Sequence, residues 1–204
     1  MSFIKSFLNH PYTFWAILCL PAIPMFMFLT SGDPRAIHGL LHPTGEFAAR
    51  FMIIAMMITP LTMLFKGWRG PRWLMKRRRY LGVAAFFYAA VHTVLYLFDM
   101  GAVAFSGGEL SKLYIWTGWI AFLIFVPLAV TSTDGWVRRL GPKWKMLQQW
   151  VYAAAVLTLL HWAALHDWGG IIPALVHFLP LGLLEFYRVW SILHRRKLRA
   201  TQQV

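Results

Sequence analysis

The chain has 204 residues, 59% of them hydrophobic and only 13% charged, with a mean hydropathy of +0.56. A soluble domain carries about a quarter charged residues, so this composition excludes an ordinary soluble fold and predicts an all-α polytopic membrane protein, one bundle over residues 1–204 without a second domain. The net charge of +13 does not point to nucleic acid, because the basic residues sit in short stretches between apolar runs, where they set topology.

A bilayer core about 30 Å thick needs about 20 apolar residues per helix. Six runs meet that length and predict a six-helix transmembrane bundle: residues 11–30, 47–65, 80–98, 114–132, 147–165 and 171–192. The first run follows Lys5 and lacks a small-residue cleavage site, so it reads as a membrane helix and not as a cleaved signal. Pro21 and Pro24 predict a kink in it. Residues 31–46, SGDPRAIHGLLHPTGE, read as an outer loop rich in turn formers, with Thr44 as a cap for the second helix and Glu46 and Arg50 paired on its first turn. Pro60 marks the inner end of that helix. Residues 66–79 form a basic loop, 99–113 a flexible outer turn, and 134–150 an interfacial stretch mixing charge with tryptophan. The basic tail SILHRRKLRA is suited to anionic lipid. No internal repeat is evident.

Seventeen of the 20 Lys and Arg residues fall on one side of this layout; Arg35, Arg50 and Lys112 fall on the other. By the positive-inside rule both termini are cytoplasmic. Cys19 is the one cysteine, so an intrachain disulfide is impossible, and the absence of CxxC and CxxCH removes iron–sulfur clusters and covalent c-type haem.

Eight histidines remain to be placed. His10, His38, His42, His166 and His194 fall near helix ends or loops and read as solvated or interfacial. His177, in the outer part of the last helix, reads as bonded to a neighbour's carbonyl in preference to lining a pathway. His92 and His161 differ by depth. Counting 1.5 Å per residue, they stand about 20 Å from Arg79 and about 24 Å from Lys145, at similar heights in the outer half of the bilayer. An ionisable group there is a functional-site hypothesis. From spacing alone two readings stand level: axial ligands to one haem iron, or two unrelated histidines each bonded to a carbonyl of another helix. The 11 tryptophans, 16 phenylalanines and ten methionines indicate interface belts and core packing before cofactor contacts.

Three stretches carry a resemblance: HPTGEFAARFMIIAMMITPL (42–61), RRRYLGVAAFFYAAVHTVLYL (77–97) and TSTDGWVRRLGPKWKMLQQWVYAAAVLTLLHW (131–162). In order and spacing they resemble the MsrQ (YedZ) family of haem-binding membrane subunits, within the ferric-reductase-like transmembrane superfamily. The resemblance implies a six-helix bundle in the bacterial inner membrane that carries b-type haem. It implies electron transfer from a cytoplasmic flavin reductase or quinol to a periplasmic molybdopterin reductase, MsrP-like, which repairs methionine sulfoxide in envelope proteins. Matched by position, His92 and His161 become the haem-iron ligands. The family's further histidine, thirteen residues earlier on the fifth helix, is Gln148 here, and the matching position on the third helix is Arg79. Neither ligates haem iron, so one haem is expected. Arg50, with Arg35 and Lys112, is a candidate partner for the haem propionates. The cluster Lys76 to Arg79 is a candidate docking point for FMN or a flavin reductase, beside its plainer reading as topology signal and lipid anchor. The subunit itself has no sulfoxide-reducing site. Two alternatives remain: a ferric or other metal reductase domain with another acceptor, and a transporter without haem, against which stand the few carboxylates in helix interiors.

Overall fold

A computed structural model describes residues 10–202, and every regular element among them is a helix. Lys5, counted above with the basic side, lies outside the described residues.

The first apolar run folds as α1 (Pro11–Cys19) and α2 (Ala22–Leu29), bent by 48° at Leu20–Pro21. The cause is the one expected: a proline lacks an N–H and its ring clashes with the preceding turn.

The next helix departs from expectation. α3 runs from Ala36 to Leu64, so residues 36–46 are helix and not loop, and Pro43 and Pro60 both lie inside it. His38 and His42 therefore stand on a helix. Thr44 does not cap it: the side chain is 1% exposed, and its hydroxyl donates to the Leu40 carbonyl at 2.7 Å. The physical reason is a buried stripe at four-residue spacing, Ala36, Leu40, Thr44, Ala48, Met52 and Met56, which runs straight through the turn-forming residues. Tertiary burial of this stripe overrides the local preference of Gly and Pro.

α4 (Arg69–Met75) is a short helix within the basic loop. α5 (Arg78–Met100) follows, extended by a 3-10 turn over Gly101–Phe105. The expected flexible turn thus holds structure, including α6 (Gly107–Leu110), whose N-terminal Ser106 accepts a hydrogen bond from the Glu109 amide. α7 spans Leu113–Val130. The interfacial stretch forms α8 (Asp134–Leu140) and α9 (Pro142–Gln148), separated by Gly141 at φ +53°. α10 covers Val151–Ala163. α11 (Leu165–Trp168) reverses the chain through three consecutive residues with positive φ, His166, Asp167 and Trp168. α12 runs from Ile171 to Thr201, so most of the basic tail continues the last helix.

Among the described residues, α3, α5 with its extension, α7 and α12 are long and apolar enough to cross a membrane, and the bent α1–α2 pair makes a fifth. The sixth expected span, 147–165, is broken by a turn at Gln149–Trp150, leaving the 13 residues of α10, about 20 Å long.

Packing follows from the faces. α3 lies on α5, α5 on α7, α7 on α10 and α10 on α3, closing a ring of four. α12 covers the α3–α10 side, and α1 and α2 lean on α5 and α3. Small residues at the contacts, Ala84 and Ala85 on α5 and Ala154 and Ala155 on α10, let the helices close. Outward faces are apolar instead: Phe98 and Phe186 are each 73% exposed, a surface stable only against hydrocarbon. Sites in such bundles are built from side chains on facing helices, and here α5 and α10 occupy opposite corners.

Candidate cofactor site

His92 projects from α5 and His161 from α10. Their ring centroids are 6.1 Å apart and the ring planes cross at 86°. The Nδ1 of His92 lies 2.9 Å from the Leu41 carbonyl on α3. The Nδ1 of His161 lies 2.5 Å from the Tyr114 carbonyl on α7. A carbonyl only accepts, so Nδ1 carries the proton in each ring. In the neutral imidazole Nε2 is then the nitrogen with a free lone pair, ready for a metal. The two readings left open by the sequence are thus not exclusive, because each histidine is bonded to a neighbouring helix while both face the same space.

That space is a cavity of about 510 Å³ inside the four-helix ring, lined by α3, α5, α7 and α10 and reaching Leu165 and His166. Cofactor sites commonly run from about 300 to about 1,000 Å³ and are mostly apolar with a few placed polar groups. Ala48, Ala49, Ala121, Phe122 and Phe125 supply apolar walls. At one end the lining turns polar. The Glu109 carboxylate, 7% exposed, takes Lys112 Nζ at 2.6 Å and the Tyr114 hydroxyl at 3.1 Å. The Lys112 ammonium beside it holds the Glu109 carboxyl below the usual carboxylate range, and the same bond raises the Lys112 ammonium. His38 and Asp99 meet across α3 and α5 at 2.9 Å.

Three observations fit a haem. Two metal–imidazole bonds of about 2 Å each, plus half of each ring, give a centroid separation of about 6 Å, and 6.1 Å is found. Two opposed imidazoles are a poor cage for a bare ion, and among the described residues no three His, Cys, Asp or Glu converge to hold one. A macrocycle that brings its own four nitrogens needs only this pair. Finally, Tyr96 Oη is buried without a hydrogen-bond partner, and Tyr96 lines the same cavity.

The other candidate residues are placed as follows. Arg50 does not line the cavity; its guanidinium donates to Glu46 Oε1 at 2.5 Å and to His177 Nε2 at 3.3 Å, between α3 and α12. Arg35 is exposed, and Lys112 alone of the three expected propionate partners lines the cavity. Arg79 stands at the far end of α5, paired with Asp134 at 2.5 Å. His177 is bonded to the Pro173 carbonyl at 2.7 Å and packs on Trp162, as a structural histidine does. His10 and His194 are exposed. Sequence reading passed over Tyr96, Glu109 and Tyr114, because tyrosines and a loop acid carry no spacing signal.

At the basic end of the same ring there is a void of only about 50 Å³, lined by Ala55, Ala85, Phe125 and Gln148 among others. Gln148 Nε2 donates to the Leu128 carbonyl at 3.1 Å and to Thr131 Oγ1 at 3.3 Å, tying α9 to α7.

Comparison with known proteins agrees with this architecture. Residues 44–159 match the family described as ferric reductase like transmembrane component. The chain is 40% identical over 162 residues to the protein-methionine-sulfoxide reductase heme-binding subunit MsrQ of Xanthomonas campestris pv. campestris strain 8004, covering 78% of this chain and 72% of that one. It is 37% identical over 186 residues to the protein of the same name from Rhodospirillum rubrum, covering 87% and 86%. No solved structure matches. The matched segment holds His92 and ends two residues before His161, and the chain belongs to the ferric reductase-like transmembrane family, in its MsrQ group.

Proposed function

We propose that this chain is the haem-bearing electron conduit of a membrane methionine-sulfoxide reductase system, with His92 and His161 as axial ligands to a single b-type haem. The observation that carries the reading is the pair itself: two imidazoles 6.1 Å apart, each with Nδ1 committed to a carbonyl, lining one apolar cavity. Haem, when bound, supplies a one-electron carrier whose potential is set by axial ligands, burial and hydrogen bonds.

The residues do the rest. His92 and His161 would hold the iron between them, which would leave oxygen no site and favour electron transfer. The apolar walls exclude water. Tyr96, Tyr114 and Lys112 at the polar end would hold the acidic edge of the macrocycle. The void of about 50 Å³ at the basic end and the engaged Gln148 support one haem per chain.

Seventeen basic residues on the other side of the layout orient the cavity end toward the periplasm of a bacterial inner membrane, with the termini cytoplasmic. A periplasmic molybdopterin reductase, MsrP-like, takes the electron there. At the basic end a flavin reductase, FMN or quinol delivers it. Arg79 is already paired with Asp134, so docking of an anionic donor there exchanges one carboxylate for another group.

The test is a reduced-minus-oxidised absorbance spectrum with haem counted per purified chain. One b-type haem is expected in the wild type and none in His92→Ala or His161→Ala. A wild type without haem after expression with ample haem supply, or a count near two, refutes the reading.

A further inference from the structure

The two ligand histidines are held by the same six-residue device, used twice. On α3 it reads Leu40-Leu41-His42-Pro43-Thr44-Gly45; on α7 it reads Leu113-Tyr114-Ile115-Trp116-Thr117-Gly118. In each copy the threonine is fully buried, and its hydroxyl donates back to the carbonyl four residues earlier at 2.7 Å, Leu40 and Leu113. It also reaches the carbonyl three residues earlier, Leu41 at 3.1 Å and Tyr114 at 3.2 Å. That second carbonyl is the one that accepts the histidine Nδ1–H from the next helix of the pair, α5 or α10. The glycine beside each threonine leaves room for the ring. A Cβ at Gly45 stands 3.1 Å from Cε1 and Nδ1 of His92, and a Cβ at Gly118 stands 2.7 Å from Nδ1 of His161.

We propose that Thr44–Gly45 and Thr117–Gly118 are positioning elements that fix the tautomer, the rotation and the donor strength of the two iron ligands. The inference rests on the haem reading above. The glycines act by close approach: without a Cβ the imidazole reaches a carbonyl within the helix wall, which locks its rotation and produces the near-perpendicular ring planes. Hydrogen bonds from a ligating histidine to a carbonyl raise ligand basicity. The threonines limit that effect, because a carbonyl that already accepts a hydroxyl proton draws less on Nδ1–H. Removing the hydroxyl strengthens the pull, makes the imidazole a stronger donor and favours the ferric state.

Four variants separate these roles from folding: Gly45→Ala, Gly118→Ala, Thr44→Val and Thr117→Val. Gly182→Ala on α12, where a Cβ meets nothing within 4 Å, is the control for putting alanine in a helix. Haem per chain, midpoint potential by redox titration and the ferric low-spin electron paramagnetic resonance spectrum are read on each. Gly118→Ala weakens haem retention by about 10- to 100-fold, the usual scale for removing an outer-shell partner. Gly45→Ala has the smaller effect and alters the resonance spectrum, since its contact is looser. Both valine variants retain haem and titrate at a lower potential than the wild type, with the smaller shift in Thr44→Val, because the Thr44 hydroxyl also lies 3.4 Å from His92 Nδ1 and its loss removes an acceptor there. If Gly118→Ala fails to fold in detergent, the valine variants decide. A haem-loaded wild type whose four variants match it in retention, potential and spectrum overturns this inference and leaves the haem reading standing, and valine variants that titrate higher overturn the donor-strength role. A wild type without haem overturns both.

Discussion

The two ends of the four-helix ring are built from the same helices and differ in what they can hold. At one end α5 and α10 part around a cavity of about 510 Å³ and present His92 and His161. Thirteen residues earlier on the same two paths stand Arg79 and Gln148, and the void at that end, which Gln148 lines and Arg79 does not, is about 50 Å³. Arg79 is drawn outward to Asp134, and the Gln148 amide is consumed by α7. The difference teaches that a ligand pair needs three things at once: an ionisable residue at depth, a neighbour that takes its second nitrogen, and space between the partners. The cavity end has all three; the basic end offers a carbonyl at Leu128 but lacks the opposed ionisable pair at depth and the space.

The comparison is most directly broken by filling the space. Ala121→Trp, on the α7 wall of the large cavity, is expected to abolish haem binding while the helical fold persists, because the added ring enters existing space. Ala85→Trp, beside the small void, is expected to destabilise the bundle by about 1–3 kcal/mol through overpacking without displacing haem directly. Haem-to-protein ratio and thermal unfolding in detergent distinguish them; equal haem loss in both would remove the distinction between the ends. Gln148→His is the converse test. It places a histidine where there is neither room for a macrocycle nor an opposed ligand, and the haem count is expected to remain at one per chain in a pyridine haemochrome assay.

Smaller effects sharpen the electrostatic side. Arg79→Ala breaks a half-exposed pair with Asp134 and is expected to cost less than about 1 kcal/mol and to leave the haem spectrum unchanged. The Glu109–Lys112 pair sets a pH window. The Glu109 carboxyl is lowered in the fold, so its contribution is present above the ordinary carboxylate pKa and is lost as pH falls through the lowered value. The Lys112 ammonium is raised, so its contribution is present below the ordinary lysine pKa and is lost as pH rises through the raised value. The gap in melting temperature between wild type and Glu109→Gln is therefore expected to be flat from roughly pH 6 to pH 9 and to close at acid pH. A gap that closes near neutral pH would place the titrating group elsewhere.

Much of this protein is legible before folding is considered. Apolar runs of membrane length, the segregation of lysine and arginine, and prolines at the first kink are properties of the chain itself, since hydrocarbon and headgroups impose them on any sequence. His92 and His161 stand out for the same reason, as polar groups at a costly depth. Residues 36–46 are not legible in this way, because their Gly, Pro and turn-forming neighbours indicate a loop. Burial of Ala36, Leu40 and Thr44 keeps that stretch helical, and local propensity cannot foresee burial. Nor is the break within 147–165 legible, where two residues of turn shorten α10.

What only the tertiary structure decided is the company each histidine keeps. The residues that hold the pair lie on other helices, 47 or 51 positions away in the contacts to Tyr114 and Leu41, and act through backbone carbonyls and missing side chains. A carbonyl is the same at every position of a chain, and a glycine declares no purpose until a ring is packed against it. The sequence by itself determined that two imidazoles would lie at one level of a membrane bundle; packing decided that they face each other across a cavity, because only the closure of α3, α5, α7 and α10 into a ring sets distance, rotation and volume.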